Sequence, residues 1–295
     1  MSSAQHASLV SSGLNCVGLV AGSGILPLLC ARALRARVRP DGTEVRIVAI
    51  AHRGETDPAL ADWVDDLTWV HLGQFGRILS FLRQQQTTDV VLLGGITKAR
   101  IWRIRPDAVA LRLVARLPHL QDDMLLRAVA GELERHGLRV RGVGELLPEL
   151  LVPRGVLTRT VPTRAQWEDI AIGWHTAKQL GALDVGQGVV VRERVVVAVE
   201  AIEGTDAMLA RAGGLTRGGG VLVKVAKPMQ DDRLDLPTVG PQTIVVASRA
   251  GVRVMALEAG RTLMVDPAQT IADAEQHGVV LVGCGESSME KRVEQ

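Results

Sequence analysis

Residues 16–34 read CVGLVAGSGILPLLCARAL. The apolar run 16–20 has the length of a buried strand, and Gly22-Ser23-Gly24 supply a tight turn. Residues 26–34 are apolar at helical spacing, with Pro27 in the first turn, where its missing N–H leaves no bond unmade. Strand, glycine turn and helix in that order open an α/β unit, and the N–H groups of such a turn can meet a phosphate. The dinucleotide-binding fingerprint is incomplete. Its third glycine would fall at position 27, where Pro27 puts a ring at the closest helix–strand approach.

Outward from this unit the pattern repeats. Residues 44–51 and 89–93 read as strands, with a helical run at 75–84 between them. Alternating strands and helices predict a parallel sheet covered on both faces, with ligands at the loops after the strand ends. Those loops are Gly22-Ser23-Gly24, residues 52–54 and residues 94–98, the last ending in Lys98. A further helix spans 122–136 and stops at Gly137. Pro153, Gly155 and Pro162 then mark a domain boundary. Beyond it Thr163 and Gln166 have capping-box spacing, with Trp167, Ile170, Ala171 and Trp174 on one apolar face. Strands at 189–191 and 195–202, a short helix from Thr205, a glycine-rich turn at 213–220 and further strands and helices complete the chain. The predicted fold class is α/β with two domains. The first, 14–150, carries a Rossmann-like parallel sheet; the second, 151–286, is mixed α/β and carries the catalytic residues.

Composition excludes several function classes. Aromatics are 2% of residues and Tyr is absent, so there is no stacking platform for single strands; a net charge of +2 offers no footprint for duplex DNA. No nucleic-acid partner is expected. Three scattered cysteines without a C-x-x-C pair suggest reduced thiols in the cytosol. The histidines lack zinc-site spacing. The amino terminus has no signal-peptide pattern, and the most apolar stretch, 189–202, is interrupted by Arg192, Glu193 and Arg194, so no membrane span is expected.

The most concentrated chemistry lies at 224–240, KVAKPMQDDRLDLPTVG. It places Lys224, Lys227, Gln230, Arg233, Asp235 and Thr238 in a proline-restricted loop between two apolar elements, where cations and carboxylates gather as phosphate chemistry requires. The chain has five lysines, and two of them stand here. Upstream, Glu203-Gly204-Thr205-Asp206 combine a glycine, a hydroxyl and a helix start, an anion site. Glu203 and Asp206 beside an anion suggest a bridging Mg²⁺; a plain helix cap explains the same residues.

The 224–240 run resembles the KxxKPxQxxRxDLPTxG segment of the UDP-2,3-diacylglucosamine diphosphatases of the LpxI type. The likeness continues in AGSGILP (21–27), GGITKAR (94–100), LDVGQG (183–188), AVEAIEGTDAML (198–209) and EAGRTLMVD (258–266). Gln121 stands where the family's GDDxLLR has glycine, and Asp232 also departs from the pattern. The resemblance implies two α/β domains and hydrolysis of a diacylated UDP-sugar to 2,3-diacylglucosamine 1-phosphate and UMP. It further implies a Mg²⁺ (or Mn²⁺) requirement and work in the cytoplasm, peripheral at the inner-membrane face. It makes Asp235 the catalytic aspartate. With it go a substrate-binding set of Gly22, Ser23, Gly24, Lys98, Thr205, Lys224, Lys227, Gln230, Arg233 and Thr238, and metal ligands Glu203, Asp206 and Asp235. Residues 99–117, with Arg112 and Arg116 on one helix face, are either an amphipathic core helix or a contact with anionic lipid. A sensor that binds UDP-sugars without cleaving them is the alternative class, and a nicotinamide-dependent oxidoreductase a weaker third.

Overall fold

The computed structural model describes residues 14–37, 42–95, 105–117, 122–216 and 218–286. The chain divides into two compact units. The first extends to Glu149 and also takes Asp231–Asp235; the second takes Leu150–Gln230 and resumes at Leu236.

In the first unit the elements are β1 (Cys16–Ala21), α1 (Leu26–Arg35), β2 (Arg46–His52), β3 (Asp66–Val70), α2 (Phe75–Gln84), β4 (Asp89–Leu93), α3 (Ala108–Val114), α4 (Asp122–Arg135), β5 (Arg139–Arg141) and the short α5 (Val143–Leu146). The strands form a sheet in the order β3-β2-β1-β4-β5, parallel throughout. The central strands are buried almost end to end, as strands covered on both faces must be. Gly18 lets α2 come close: a Cβ there would sit 2.5 Å from Leu82 Cδ2. Strand order reverses between β1 and β4, which makes the loops after those two strands the ligand-binding edge of such a sheet.

In the second unit follow β6 (Gly155–Val156), α6 (Arg164–Ala182), β7 (Gly188–Arg192), β8 (Val195–Val199), α7 (Thr205–Thr216), β9 (Gly220–Lys224), β10 (Thr238–Val239), α8 (Pro241–Arg249), β11 (Val252–Glu258), β12 (Leu263–Met264), α9 (Pro267–His277) and β13 (Val280–Cys284). Six of the strands form a mixed sheet, β6-β13-β11-β9-β7-β8. β9, β11 and β13 are parallel, while β7 runs against β9 and β8 runs against β7. Side chains alternate along each strand. Val189, Val191, Val221, Val223 and Val225 therefore pack on Ile170 and Trp174 of α6. Val190, Leu222, Met255 and Leu257 pack on Met208, Ile244 and Ala274 of the three other helices.

The capping box at the start of α6 forms as its spacing predicts: Gln166 N–H donates to Thr163 Oγ1 at 3.3 Å and Thr163 N–H to Gln166 Oε1 at 2.8 Å. The tryptophan face is core, with Trp174 buried. Two boundaries differ: the strand expected at 195–202 ends at Val199, and the glycine turn is displaced. The expected short helix and glycine turn at 213–220 are instead a twelve-residue helix running through Gly213 and Gly214 to Thr216. Met208, Leu209, Ala212 and Thr216 give it a buried stripe, and packing of that stripe outweighs the low helix propensity of two glycines.

Candidate active site

One end of the second sheet gathers the polar residues. Lys224 closes β9, Glu258 closes β11, Glu200 follows β8 and Gly188 opens β7. Because β7 is antiparallel to β9, its beginning lies beside Lys224 in register. Lys224 is on the α7 face of the sheet, with the parity of Leu222. It is buried, at 6% exposure, and its Nζ donates to the Thr205 hydroxyl. Thr205 in turn donates to Glu200 Oε1 at 2.8 Å. Glu200 is itself 6% exposed. Thr205 is the first residue of α7, so this chain of bonds ends at a helix amino terminus, where partial positive charge and N–H groups favour an anion.

Lys227 is held otherwise. Its ammonium pairs with Asp184 in the loop after α6. Its backbone N–H donates to Gln230 Oε1 at 3.0 Å, and Gln230 N–H returns a bond to Lys227 O at 3.1 Å. Gln230 thus closes the Pro228 turn. On the α6 face, Glu258 accepts Ala226 N–H at 2.7 Å and grips Lys178 with both oxygens, so the backbone between the two site lysines is fixed from beneath.

Asp231–Asp235 belongs to the first unit. Leu234 enters that unit's core. Arg233 donates to both oxygens of Asp231, at 3.0 and 2.8 Å, and to Glu134 at 2.7 Å. The two-pronged bond from Arg233 holds the Asp231 carboxyl below the usual carboxylate range and pushes the guanidinium higher still. Arg233 therefore clamps its own loop. Asp235, one residue past the core leucine, is exposed. Thr238 lies on β10, with its hydroxyl donating to Leu236 O at 3.1 Å.

In the first unit Gly22-Ser23-Gly24 follow β1 at the strand-order reversal. Two of the N–H groups expected to meet phosphate are already used: Gly22 N–H donates to Leu93 O and Ser23 N–H to Gly95 O, both at 2.7 Å. A Cβ at Gly22 would come within 2.3 Å of Gly95 O, so this glycine serves the close approach of two loops. Gly24 has φ +90, which glycine adopts without strain. Lys98 lies outside the described residues.

Among the described residues no group of three His, Cys, Asp or Glu side chains is placed to hold an ion. Glu203 is paired with Arg211 at 2.8 Å, and that bond holds its carboxyl below the usual range. Asp206 is exposed in the first turn of α7. Glu203 and Asp206 belong to the second unit, and Asp235 to the first. Reading by residue type also missed Glu200, Asp184, Lys178 and Glu258. The signal for Asp184, Glu200 and Glu258 lay inside LDVGQG, AVEAIEGTDAML and EAGRTLMVD, where acidic residues stand beside apolar strand ends; Lys178 lies outside them, within α6.

Two α/β units, with a lysine–threonine–glutamate chain at a helix start and an aspartate on a clamped loop, define the class as a two-domain protein built for an anionic ligand. A model of the LpxI N-terminal domain matches residues 16–150, and one of the LpxI C-terminal domain matches residues 153–282. The chain is 37% identical over 278 residues to the UDP-2,3-diacylglucosamine pyrophosphatase LpxI of Caulobacter vibrioides, covering 90% of this chain and 96% of that one. It belongs to the LpxI family. Among solved structures, the biotin carboxylase subunit of pyruvate carboxylase aligns with 63% of this chain and 35% of its own, at 15% identity and a TM-score of 0.26; that likeness carries no argument.

Proposed function

We propose that this protein hydrolyses the pyrophosphate bond of UDP-2,3-diacylglucosamine to 2,3-diacylglucosamine 1-phosphate and UMP, within lipid A synthesis. The observation that carries this reading is the correspondence with the Caulobacter relative along nearly the whole of both chains. The site chemistry supports it. Lys224, Lys227 and the start of α7 supply the positive charge that a pyrophosphate needs on its bridging group. Asp235 orients a water and accepts its proton as the water oxygen bonds to phosphorus; the P–O bond to the leaving phosphate then breaks. Pro237 and the buried Leu234 restrict the loop, so the carboxylate is pre-organised for that task.

Mg²⁺ or Mn²⁺ enters this reading as a cation carried on the pyrophosphate, which asks for only one or two protein carboxylates. Asp206, exposed in the first turn of α7, would meet that lesser demand, and the ion would neutralise charge on the phosphates. The substrate's acyl chains call for a peripheral position at the cytoplasmic face of the inner membrane. No helix among the described residues is long and apolar enough to cross a membrane. Leu183, Ile202 and Met229, exposed by 73%, 77% and 74%, stand within three residues of Asp184, Thr205 and Lys227 in sequence and offer apolar surface to the acyl chains.

The test is release of UMP from UDP-2,3-diacylglucosamine by the purified protein, with and without chelator. UMP formation lost on chelation is expected. Binding without UMP release at any divalent-cation level would leave the sensor class standing and end the hydrolase reading.

A further inference from the structure

The Glu200 carboxylate has one oxygen on Thr205 and the other, Oε2, buried without a hydrogen-bond partner among the described residues. The fold makes room for it. A Cβ at Gly188 would stand 2.5 Å from Oε2, and a Cβ at Gly186 would stand 2.0 Å from the Glu200 carbonyl oxygen. The Glu200 N–H also donates to Gly188 O at 2.8 Å, so backbone and side chain are both fixed. A buried carboxylate so poorly supplied with donors destabilises a fold by itself. The Lys224 ammonium is linked to it through one hydroxyl, that of Thr205.

That hydroxyl decides direction. Thr205 has a single proton, and Glu200, which only accepts when ionised, takes it. The Thr205 oxygen is left to accept from Lys224. One of the three ammonium protons is thereby committed, and no other partner for the remaining two is present among the described residues. We infer that Glu200 is a positioning residue: acting through Thr205, it turns Lys224 so that its two remaining N–H groups face the phosphate at the start of α7. Glu200 itself does not touch substrate. Thr205, its proton drawn inward, serves the anion through Lys224 and not by donating its own hydroxyl. This rests on the reading of Lys224 as a pyrophosphate-binding group.

The experiment combines kinetics on UDP-2,3-diacylglucosamine with ¹⁵N-lysine NMR of the ammonium groups, for wild type, E200A, E200Q, T205V and the E200A/T205V double variant. E200A is expected to raise KM about tenfold, the loss of a hydrogen bond worth roughly 1.4 kcal/mol, with kcat within about threefold. E200Q keeps an oxygen for the Thr205 hydroxyl and should stay within about threefold of wild-type KM. In the T205V background E200A should add nothing, because the path runs through the hydroxyl. The Lys224 signal, identified by its loss in K224R, should move in E200A and T205V alike. If E200A does not fold, Gly188→Ala, which displaces the carboxylate without removing it, should give the same rise in KM. Wild-type KM in folded E200A, an equal loss in E200Q, or an undiminished effect in the T205V background would each overturn the inference. An inactive wild type would instead remove the functional reading, and NMR would still report whether Glu200 governs Lys224.

Discussion

Glu258 holds Lys178 with both carboxylate oxygens, at 2.8 and 2.9 Å, beneath the loop that joins the two site lysines. Glu258 is nearly fully buried and Lys178 largely so, and the Lys178 ammonium also lies 5.4 Å from the Trp174 ring centre. Removing one member of such a pair leaves a buried charge uncompensated, which costs about 3–5 kcal/mol. Lys178→Met should therefore lower unfolding stability in urea by about 3 kcal/mol, toward the low end because Arg261 stands 3.6 Å from Glu258. The Lys178→Met/Glu258→Gln double variant should recover part of the loss. A single-variant loss under about 1 kcal/mol would show that the pair is effectively solvated.

His52 ends β2 with its Nδ1–H donating to Ala21 O at 2.9 Å, and Thr56 donates to the same carbonyl. Burial is the main cause that lowers its pKa from 6.5. Below pH 6.5 the unfolded chain takes up a proton that the folded chain resists. Its contribution to stability is whole above that pH and is lost as pH falls toward the depressed folded value. Stability measured at pH 7.5 and pH 5 should decline with acid. The decline should be smaller in His52→Gln, even if that variant is less stable at both. Equal slopes would assign the acid sensitivity elsewhere.

Period and punctuation made most of the fold legible. The buried run at 16–21 and the valine-rich runs at 189–191 and 221–225 are central strands because only covered strands are apolar on both faces. β3, whose DLTWV begins with a charge and follows Asp65, carries no such signal; it is an edge strand defined by its pairing with β2. The site was legible in residue type and not in partnership. Lys224, Thr205 and Asp235 could be named, but long-range pairing decides that Arg233 clamps Asp231 and Glu134 and that Glu203 pairs with Arg211. Nothing local in the chain encodes those choices.

The outer face of α3 allows a test of the proposed membrane contact. Asp107 caps this helix with bonds from Val109 N–H and Ala110 N–H, and Ala110 and Leu113 anchor it in the first unit. That leaves Leu111, Arg112 and Val114 exposed on the helix. The helix ends at Val114, so Arg116 is exposed just beyond it and not on the same helix face as expected, yet apolar and cationic groups still stand together, as an anionic lipid surface would require. Replacing Arg112 and Arg116 by Glu should release the protein from anionic vesicles at low salt, by about 1 kcal/mol for each charge near the surface. The anchoring residues are untouched, so the melting temperature should hold. Vesicle binding indifferent to both substitutions and to salt would remove this face from consideration.

Asp235 carries the central prediction. Its loop is fixed on one side by Leu234 in the core and by the Arg233 bonds to Asp231 and Glu134, and on the other by the buried Pro237. None of these anchors depends on the Asp235 side chain, which is exposed. Asp235→Asn should therefore fold with a near-normal melting temperature. Substrate affinity, assigned in the proposed function to Lys224, Lys227 and the start of α7, should change little. Turnover should fall at least about a hundredfold, since an amide cannot take the proton from an attacking water. Raising the pH should not restore it, because the missing group is a base and not a base held in its acid form. Binding measured on the inactive variant and turnover measured on both separate the two roles. A folded Asp235→Asn protein that turns over at close to the wild-type rate would move the base to Asp206, the exposed carboxylate in the first turn of α7.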